Sequence, residues 1–297
     1  MVPIAIAIAN YKGGVGKTTL ASVIAATFAE RFRRKTIIID ADPQSNITEV
    51  FVSSIDFDKI SYYAKNQGKV FSLEWIIGSG EPLIYSITDN LAIVPSKPEY
   101  IGLAKFLIVP AERIQGLRRE IDEKLRDFNF IILDLPPQMY GLIGPLIKIA
   151  DALITPVTKT SFALTALYYL IRDIRSIPPN EQPPFLGAVL TRFRRNETIN
   201  IELYRRRIKR IVDEAYRSMA MKWELEGKIH SYAFDNVFYA HPKLADIRAL
   251  PFDESDNVRM IRVVRGKVRY SSQILSFVEP LVSELKDRIE AALQVQR

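Results

Sequence analysis

The stretch NYKGGVGKTT, residues 10–19, directly follows the apolar run at residues 4–9. It nearly fits the phosphate-binding pattern G-x-x-x-x-G-K-[ST], because the GKT of residues 16–18 is in register. Two positions depart from that pattern. Tyr11 stands where the first glycine is expected, and a second lysine, Lys12, comes immediately after it. The extra lysine therefore requires an explanation of its own.

The chemistry of such a loop follows from its glycines. They let successive backbone N–H groups point at a polyphosphate, and the N-terminus of the next helix adds partial positive charge. Lys17 would reach the β and γ phosphates, and the Thr18 hydroxyl would ligate Mg²⁺. The predicted nucleotide-binding loop consists of Lys12, Gly13, Gly14, Val15, Gly16, Lys17, Thr18 and Thr19. The alternative is a glycine-rich turn that only starts a helix.

Length and composition predict one globular, cytoplasmic protein. Of the 297 residues, 48% are hydrophobic and 25% are charged, and no low-complexity linker divides the chain. We expect a single domain over residues 1–297, with a basic and helical C-terminal region from about residue 192. No apolar run reaches the roughly 18 residues of a membrane span, and the first ten residues lack the features of a secretory signal. The absence of cysteine excludes disulfides, thiolate metal sites and iron–sulfur clusters.

The hydrophobic pattern predicts an α/β fold. Short runs that are apolar throughout suit strands covered on both faces, and they alternate with segments of helical spacing, such as 18–33 and 113–127. This alternation favours a doubly wound, mostly parallel sheet with helices on both faces. The last 27 residues predict a closing amphipathic helix, or a helix pair broken near Pro280. The predicted strands are residues 4–9, 35–40, 91–96, 130–135, 152–157 and 187–193.

Three carboxylates follow these apolar runs, at the edge of a parallel sheet where ligands bind. Phosphoryl transfer needs an acid that holds the metal and a group that orients water. Asp134 is the candidate for the metal, although a helix cap or a turn residue would look the same. Asp40 and Asp42 point the same way along the pleat and repel each other unless a cation or a water network is near. Asp42-Pro43 could also simply initiate a turn.

The motifs KGGVGKTT, DADPQ and LDLPP, in this order, resemble the deviant-Walker-A ATPases, and DPQSN resembles the ParA-type DNA-partition ATPases among them. The resemblance covers roughly the first 160 residues. It implies a P-loop NTPase fold and a slow, partner-stimulated ATPase that uses ATP and Mg²⁺. It also implies that Lys12 reaches across a nucleotide-sandwich homodimer to phosphates bound by the other chain, as an arginine finger does. A solvated lysine is the alternative.

The same resemblance implies roles for other residues. Asp42 looks like the residue that positions or activates water, Asp40 like a neighbour in the magnesium network, and Thr19 like a contact of the α phosphate. Thr191 and Arg192 are candidate adenine contacts, whereas Tyr11 receives no catalytic role. The predicted catalytic residues are therefore Lys12, Lys17, Asp40 and Asp42, and the predicted metal site comprises Thr18, Asp40 and Asp134.

Basic residues concentrate in two clusters of the C-terminal half. Nonspecific DNA binding needs Lys and Arg at phosphates and no code for reading bases. The alternative is a solvated surface without function. The resemblance favours DNA, together with a centromere-binding, ParB-like adaptor. The first cluster is Arg192, Arg194, Arg195, Arg205, Arg206, Arg207, Lys209 and Arg210, and the second includes Arg262, Arg265, Lys267 and Arg269.

Other members of the same superfamily remain as rivals. Iron–sulfur members are excluded because the chain has no cysteine. MinD-like regulators bind membranes through a basic terminal helix, but here Glu284, Asp287 and Glu290 favour packing on a protein core, so we expect no membrane partner. Small-molecule ligases or kinases also use this fold. Lys12 counts against them, because an ordinary kinase on this fold would not need it.

Overall fold

One seven-stranded sheet forms the centre of the computed structural model, which describes residues 2–78, 80–102, 109–137, 143–178, 181–217, 232–240, 261–264, 267–270 and 272–295. The sheet order is β5-β6-β2-β7-β1-β8-β9, and every pairing is parallel except that of β5 with β6. Its strands are β1 (Ile4–Ile8), β2 (Thr36–Asp40), β5 (Tyr85–Thr88), β6 (Leu91–Val94), β7 (Phe130–Asp134), β8 (Ala152–Val157) and β9 (Phe185–Leu190). Two small pairs lie outside it: β3 (Lys69–Val70) with β4 (Glu81–Pro82), and β10 (Ile261–Val264) with β11 (Lys267–Tyr270).

The helices cover both faces of this sheet. A core on each face draws on alternate residues of the central strands, which explains why consecutive positions inside those strands are apolar. The α/β fold class and the six predicted strands are thereby confirmed. The helices are α1 (Lys17–Glu30), α2 (Asn46–Phe51), α3 (Ser54–Gln67), α4 (Ser72–Ile77), α5 (Ala111–Lys124), α6 (Ile143–Lys148), α7 (Ser161–Arg175), α8 (Thr198–Arg217) and α9 (Ser272–Val295).

The closing segment is one continuous helix, which is the first of the two predicted alternatives and not a helix pair broken near Pro280. Pro280 lies inside α9, where it removes one backbone donor. The helix persists because Val278, Leu281 and Leu285 are buried in the same core as α1. This packing confirms the expected contact of the last helix with a protein core. In the part of the chain that the structure describes, no helix is long and apolar enough to cross a membrane.

Candidate active site

The predicted phosphate loop lies between β1 and α1, at the carboxyl edge of the sheet. Gly14 and Gly16 have φ angles of 73° and 93°, which side chains rarely adopt, so the loop requires glycine at both positions. Helix α1 begins at Lys17 immediately after them. The free N–H groups of its first turn therefore face the space that the loop encloses.

Lys17 is held inside the loop. Its Nζ donates to the carbonyl oxygens of Asn10 at 3.2 Å and Lys12 at 3.4 Å. Burial lowers the pKa of Lys17, while the charges of Asp134 and Asp42 oppose that shift. An ammonium group in this position is already directed into the loop and is only weakly hydrated, which suits it to a phosphate.

Asn10 holds the start of the loop in place through its side-chain hydrogen bonds. This role of Asn10 was not predicted from the sequence. Its Nδ2 donates to Thr155 Oγ1 at 3.1 Å and to the carbonyl oxygen of Pro156 at 2.9 Å. Its Oδ1 accepts from the backbone N–H of Lys12 at 2.8 Å. Asn10 thus ties the start of the loop to the end of β8. A polar residue directly after an all-apolar run was the available signal, as it was for Asp40 and Asp134.

Replacing Asn10 by alanine is expected to lower the free energy of unfolding by about 1–3 kcal/mol, because the buried Thr155 hydroxyl, the buried Pro156 carbonyl and the half-buried Lys12 N–H lose their partner. It should also weaken binding of an ATP analogue, since the loop loses its anchor on β8. Chemical denaturation and analogue titration measure the two effects. Asn90→Ala, in the turn before β6, is the matched control away from the loop. Unchanged stability and affinity in Asn10→Ala would contradict the bracing role.

Thr191 and Arg192, the predicted adenine contacts, lie just after β9. The buried hydroxyl of Thr191 donates to the carbonyl oxygen of Val15 at 2.8 Å, so Thr191 braces the loop from β9 as Asn10 does from β8. Arg192 is exposed, and its backbone N–H bonds the carbonyl oxygen of Phe238. Their contact with adenine stays a prediction.

Asp134 and Thr18 form the candidate metal site. The Thr18 hydroxyl donates to Asp134 Oδ2 at 2.9 Å, whereas Asp134 Oδ1 is buried without a hydrogen-bond partner among the described residues. Burial and the charge of Asp42 raise the pKa of Asp134 to about 7, although the Thr18 hydrogen bond and Lys17 act against that shift. An orphaned carboxylate oxygen beside a hydroxyl fits a divalent cation, which would keep the carboxylate ionised.

The number of protein ligands at this site also suits magnesium. No group of three or more His, Cys, Asp or Glu side chains that could hold a metal occurs within the described ranges. Mg²⁺ does not require such a group, because it usually combines one or two protein ligands with waters and substrate phosphates.

Asp40 pairs in register with Asp134, but its carboxylate is engaged by the chain itself. Oδ1 accepts from the backbone N–H of Asp42 at 3.1 Å, and Oδ2 accepts from the N–H and the hydroxyl of Thr48 at 3.1 and 2.6 Å. Burial, and then the charge of Asp134, raise the pKa of Asp40 well above its usual range. These bonds make Asp40 a brace of the loop after β2. It is less available to a metal than Asp134 is.

Asp42 lies on that braced loop with only 5% of its surface exposed. Its Oδ1 accepts from the backbone N–H of Gln44 at 2.9 Å. Burial raises the pKa of Asp42, while the Gln44 hydrogen bond and the charge of Lys17 act in the opposite direction. Asp42 is thus a positioned carboxylate that interacts electrostatically with both Lys17 and Asp134.

Lys12 differs from Lys17 in the direction of its side chain. Its Nζ lies 5.3 Å from the centre of the Phe162 ring, in the first turn of α7, whereas Lys17 bonds within the loop. Phe162 itself is 70% exposed. The second lysine is therefore directed to an open surface beside the loop.

The first basic cluster divides according to its environment. Residues of α8 at positions 201, 204, 208 and 212 face the core. Arg205 is half-buried and donates to the carbonyl oxygen of Asp235. Arg195 lies over the rings of Tyr239 and Phe277. The basic residues on the exposed face of α8, called the α8 basic face below, are Arg206, Arg207, Lys209 and Arg210.

The second basic cluster falls on the β10–β11 hairpin. Its antiparallel register places Arg262 opposite Arg269 and Lys267 opposite Val264. Arg265 lies outside the described residues.

A loop that ends in GKT and joins a parallel strand to a helix, with a half-buried threonine bonded to a buried aspartate beside it, defines a P-loop ATPase. The chain belongs to the AAA domain family, which matches residues 4–185, and it is a P-loop ATPase of the ParA/MinD type.

Three known proteins show what the chain resembles. The chromosome-partitioning ATPase Soj of Thermus thermophilus is 27% identical over 63% of this chain and 69% of its own length. The structure of pNOB8 ParA bound to nonspecific DNA is 20% identical, covers 97% of this chain and 99% of its own, and has a TM-score of 0.65. Cobyrinic acid a,c-diamide synthase from Mycobacterium smegmatis, with bound ATP analogue and magnesium, is 26% identical over 68% and 80%, with a TM-score of 0.57.

Proposed function

We propose that the chain is an ATP-dependent switch for DNA partition. Two chains with bound ATP and Mg²⁺ would face each other across their nucleotides, and this dimer would bind DNA of any sequence on the nucleoid. A centromere-binding, ParB-like adaptor would then stimulate hydrolysis and release. The observation that carries the proposal is the α8 basic face on a chain with a ParA-type phosphate loop.

The site supports a division of labour in hydrolysis. Lys17 and the loop N–H groups would bind the phosphates, and Thr18 with Asp134 would hold Mg²⁺, which supplies charge for the phosphoryl oxygens. Asp42, fixed by Gln44 and by the braced loop, would orient the attacking water. Lys12 would act on the phosphates of the second chain, a role supported by its direction away from its own loop.

The switch follows from a shift of populations. ATP must bind the dimer better than the monomer, and DNA must bind the dimer better than the monomer, because a ligand with equal affinity for two states shifts nothing. A dimer would present the α8 basic face twice. Two copies release more counterions from one duplex than a single copy does, so DNA affinity would depend on dimerisation.

The comparisons favour partition over the rival functions. The Thermus relative is a chromosome-partitioning ATPase, and the ParA bound to nonspecific DNA resembles nearly the whole chain, whereas the synthase resembles 68% of it. A membrane-surface regulator would need a free amphipathic helix. Helix α9 buries its apolar residues against α1 and the sheet instead.

Replacing Arg206, Lys209 and Arg210 together by alanine tests the DNA-binding role. We expect nonspecific DNA binding to weaken, and the slope of log K against log salt to fall by about 1 per lost phosphate contact. Affinity for ATP should not change, because α8 is separate from the phosphate loop. The measurement is a titration of a random-sequence duplex at several salt concentrations with a nonhydrolysable ATP analogue.

The control removes the same charge elsewhere, at the exposed Lys59, Lys65 and Arg126. Only the α8 variant should lose affinity. Equal losses of DNA affinity in both variants would show that net charge alone causes the effect. Unchanged DNA binding in the α8 variant would exclude the α8 basic face from the DNA contact. DNA binding that is the same with ADP, with the analogue and without nucleotide would refute the switch itself.

A further inference from the structure

Tyr11, at the position where the loop pattern has its first glycine, is tied to the side of α7. Its hydroxyl donates to Asp173 Oδ2 at 2.9 Å, and its ring packs against the hydrophobic core. Burial, followed by the hydrogen bond and the charge of Asp173, raises the pKa of Tyr11. The hydroxyl therefore stays protonated and remains a donor.

Asp173 is itself well fixed. Its second oxygen, Oδ1, accepts from Arg172 at 3.2 Å, and the Arg172 guanidinium lies 4.8 Å from the centre of the Tyr169 ring. The neighbouring Ile171 and Ile174 are buried in the core. The acceptor for Tyr11 thus stands on a rigid helix with both of its oxygens engaged.

Packing alone does not set the direction of the Tyr11 side chain. A cavity of about 460 Å³ opens beside it, lined also by Ile143, Ile147 and Ile174 of the neighbouring helices. Because the Tyr11 ring has open space on one side, a contact with a defined geometry must hold its orientation. The hydrogen bond from the Tyr11 hydroxyl to Asp173 is that contact.

We propose that Tyr11 is a positioning residue for ATP hydrolysis, and that its hydrogen bond to Asp173 fixes the direction in which Lys12 leaves the loop. The two consecutive side chains contact opposite ends of α7, Tyr11 at Asp173 and Lys12 at Phe162. Tyr11 lies outside the segment that would bind the phosphates, so it acts on turnover and not on nucleotide affinity. This inference rests on the proposed role of Lys12 and is independent of DNA binding.

Tyr11→Phe keeps the ring and removes the hydroxyl. We expect single-turnover ATP hydrolysis to become roughly 3- to 10-fold slower, with affinity for a nonhydrolysable ATP analogue within about twofold of wild type. Asp173→Ala removes the acceptor and should have the same effect. The double variant should be no slower than either single variant, because both changes break one hydrogen bond.

Tyr168→Phe is the matched control, since it removes a hydroxyl from the exposed face of the same helix. It should hydrolyse ATP as wild type does. The proposal is overturned if the two single effects multiply in the double variant, if affinity falls as much as turnover, or if Tyr168→Phe is equally slow. Lys12→Ala distinguishes failure of the Lys12 role from failure of the Tyr11 role. Wild-type turnover in Lys12→Ala would refute the proposed role of Lys12. Loss of turnover in Lys12→Ala together with wild-type turnover in Tyr11→Phe would refute only the positioning role of Tyr11.

Discussion

Replacing Lys12 by alanine is expected to slow ATP turnover by about 100-fold or more, while affinity for Mg-ATP stays within about threefold of wild type. Lys17 already supplies a buried ammonium group within the loop, whereas Lys12 is directed to the Phe162 ring outside it. A charge that reaches the phosphates only from the second chain contributes little to the first binding step. It would stabilise the transition state only after the proposed dimer forms.

Two controls separate this role from simpler ones. Lys17→Ala should lose nucleotide affinity by about tenfold or more, because its charge-assisted contact with phosphate is lost. Phe162→Leu should change turnover by only a few-fold, since an exposed cation–π contact contributes roughly 0.5–1 kcal/mol. If Lys12→Ala weakened ATP binding as much as Lys17→Ala, Lys12 would serve its own site and the trans role would be wrong.

The strands were predictable because their pattern is local. A run that is apolar at every position must be covered on both faces, and residues 4–8, 37–39 and 130–133 met that condition. Strand β5 was missed because it is the antiparallel edge, where polar and apolar residues mix. Pro280 had left a broken helix pair open as an alternative to the single closing helix. Its local penalty is real, but burial of its neighbours in the core outweighs that penalty.

The candidate site was predictable in part, since the carboxyl ends of parallel strands meet at one edge. Asp40 and Asp134 are register partners, as their positions at strand ends implied. The partners of Asp40 were not predictable, because Thr48 reaches it from the next helix. The hydroxyl of Thr191 likewise contacts the phosphate loop only because of the order of the strands in the sheet. Side-chain hydrogen bonds of this kind depend on the tertiary structure.

The basic clusters show the same limit. A count of charges treats Arg205 and Arg206 alike, whereas the phase of α8 places Arg205 beside Asp235 and Arg206 on the exposed face. A functional difference between Arg205 and Arg206 can therefore be tested only when the structure of α8 is known. For this reason Arg206 and not Arg205 belongs in the DNA-binding variant.

Replacing Asp42 by alanine should lower turnover by about 10²- to 10⁴-fold and leave ATP-dependent dimers and DNA binding intact. Asp42 contributes negative charge that raises the pKa of Asp134, so its removal relieves repulsion within the candidate metal site. Mg-ATP binding should therefore hold or improve while the group that orients water is lost. Sedimentation and DNA titration with ATP measure the two retained steps, and phosphate release measures the lost one. Loss of dimers with nucleotide binding intact would refute this role.

Mixing the two inactive variants gives the sharpest test of how the chains share a site. In a mixed dimer, the Lys12→Ala chain keeps its own Asp42 and receives Lys12 from the Asp42→Ala chain. One complete site then forms, and an equimolar mixture should recover about one quarter of wild-type turnover, because about half of random two-fold dimers are mixed and each has one working site of two. If Lys12 acted within its own chain, neither site of the mixed dimer would be complete and the mixture would stay inactive. Recovered turnover therefore requires that Lys12 of one chain and Asp42 of the other serve the same nucleotide.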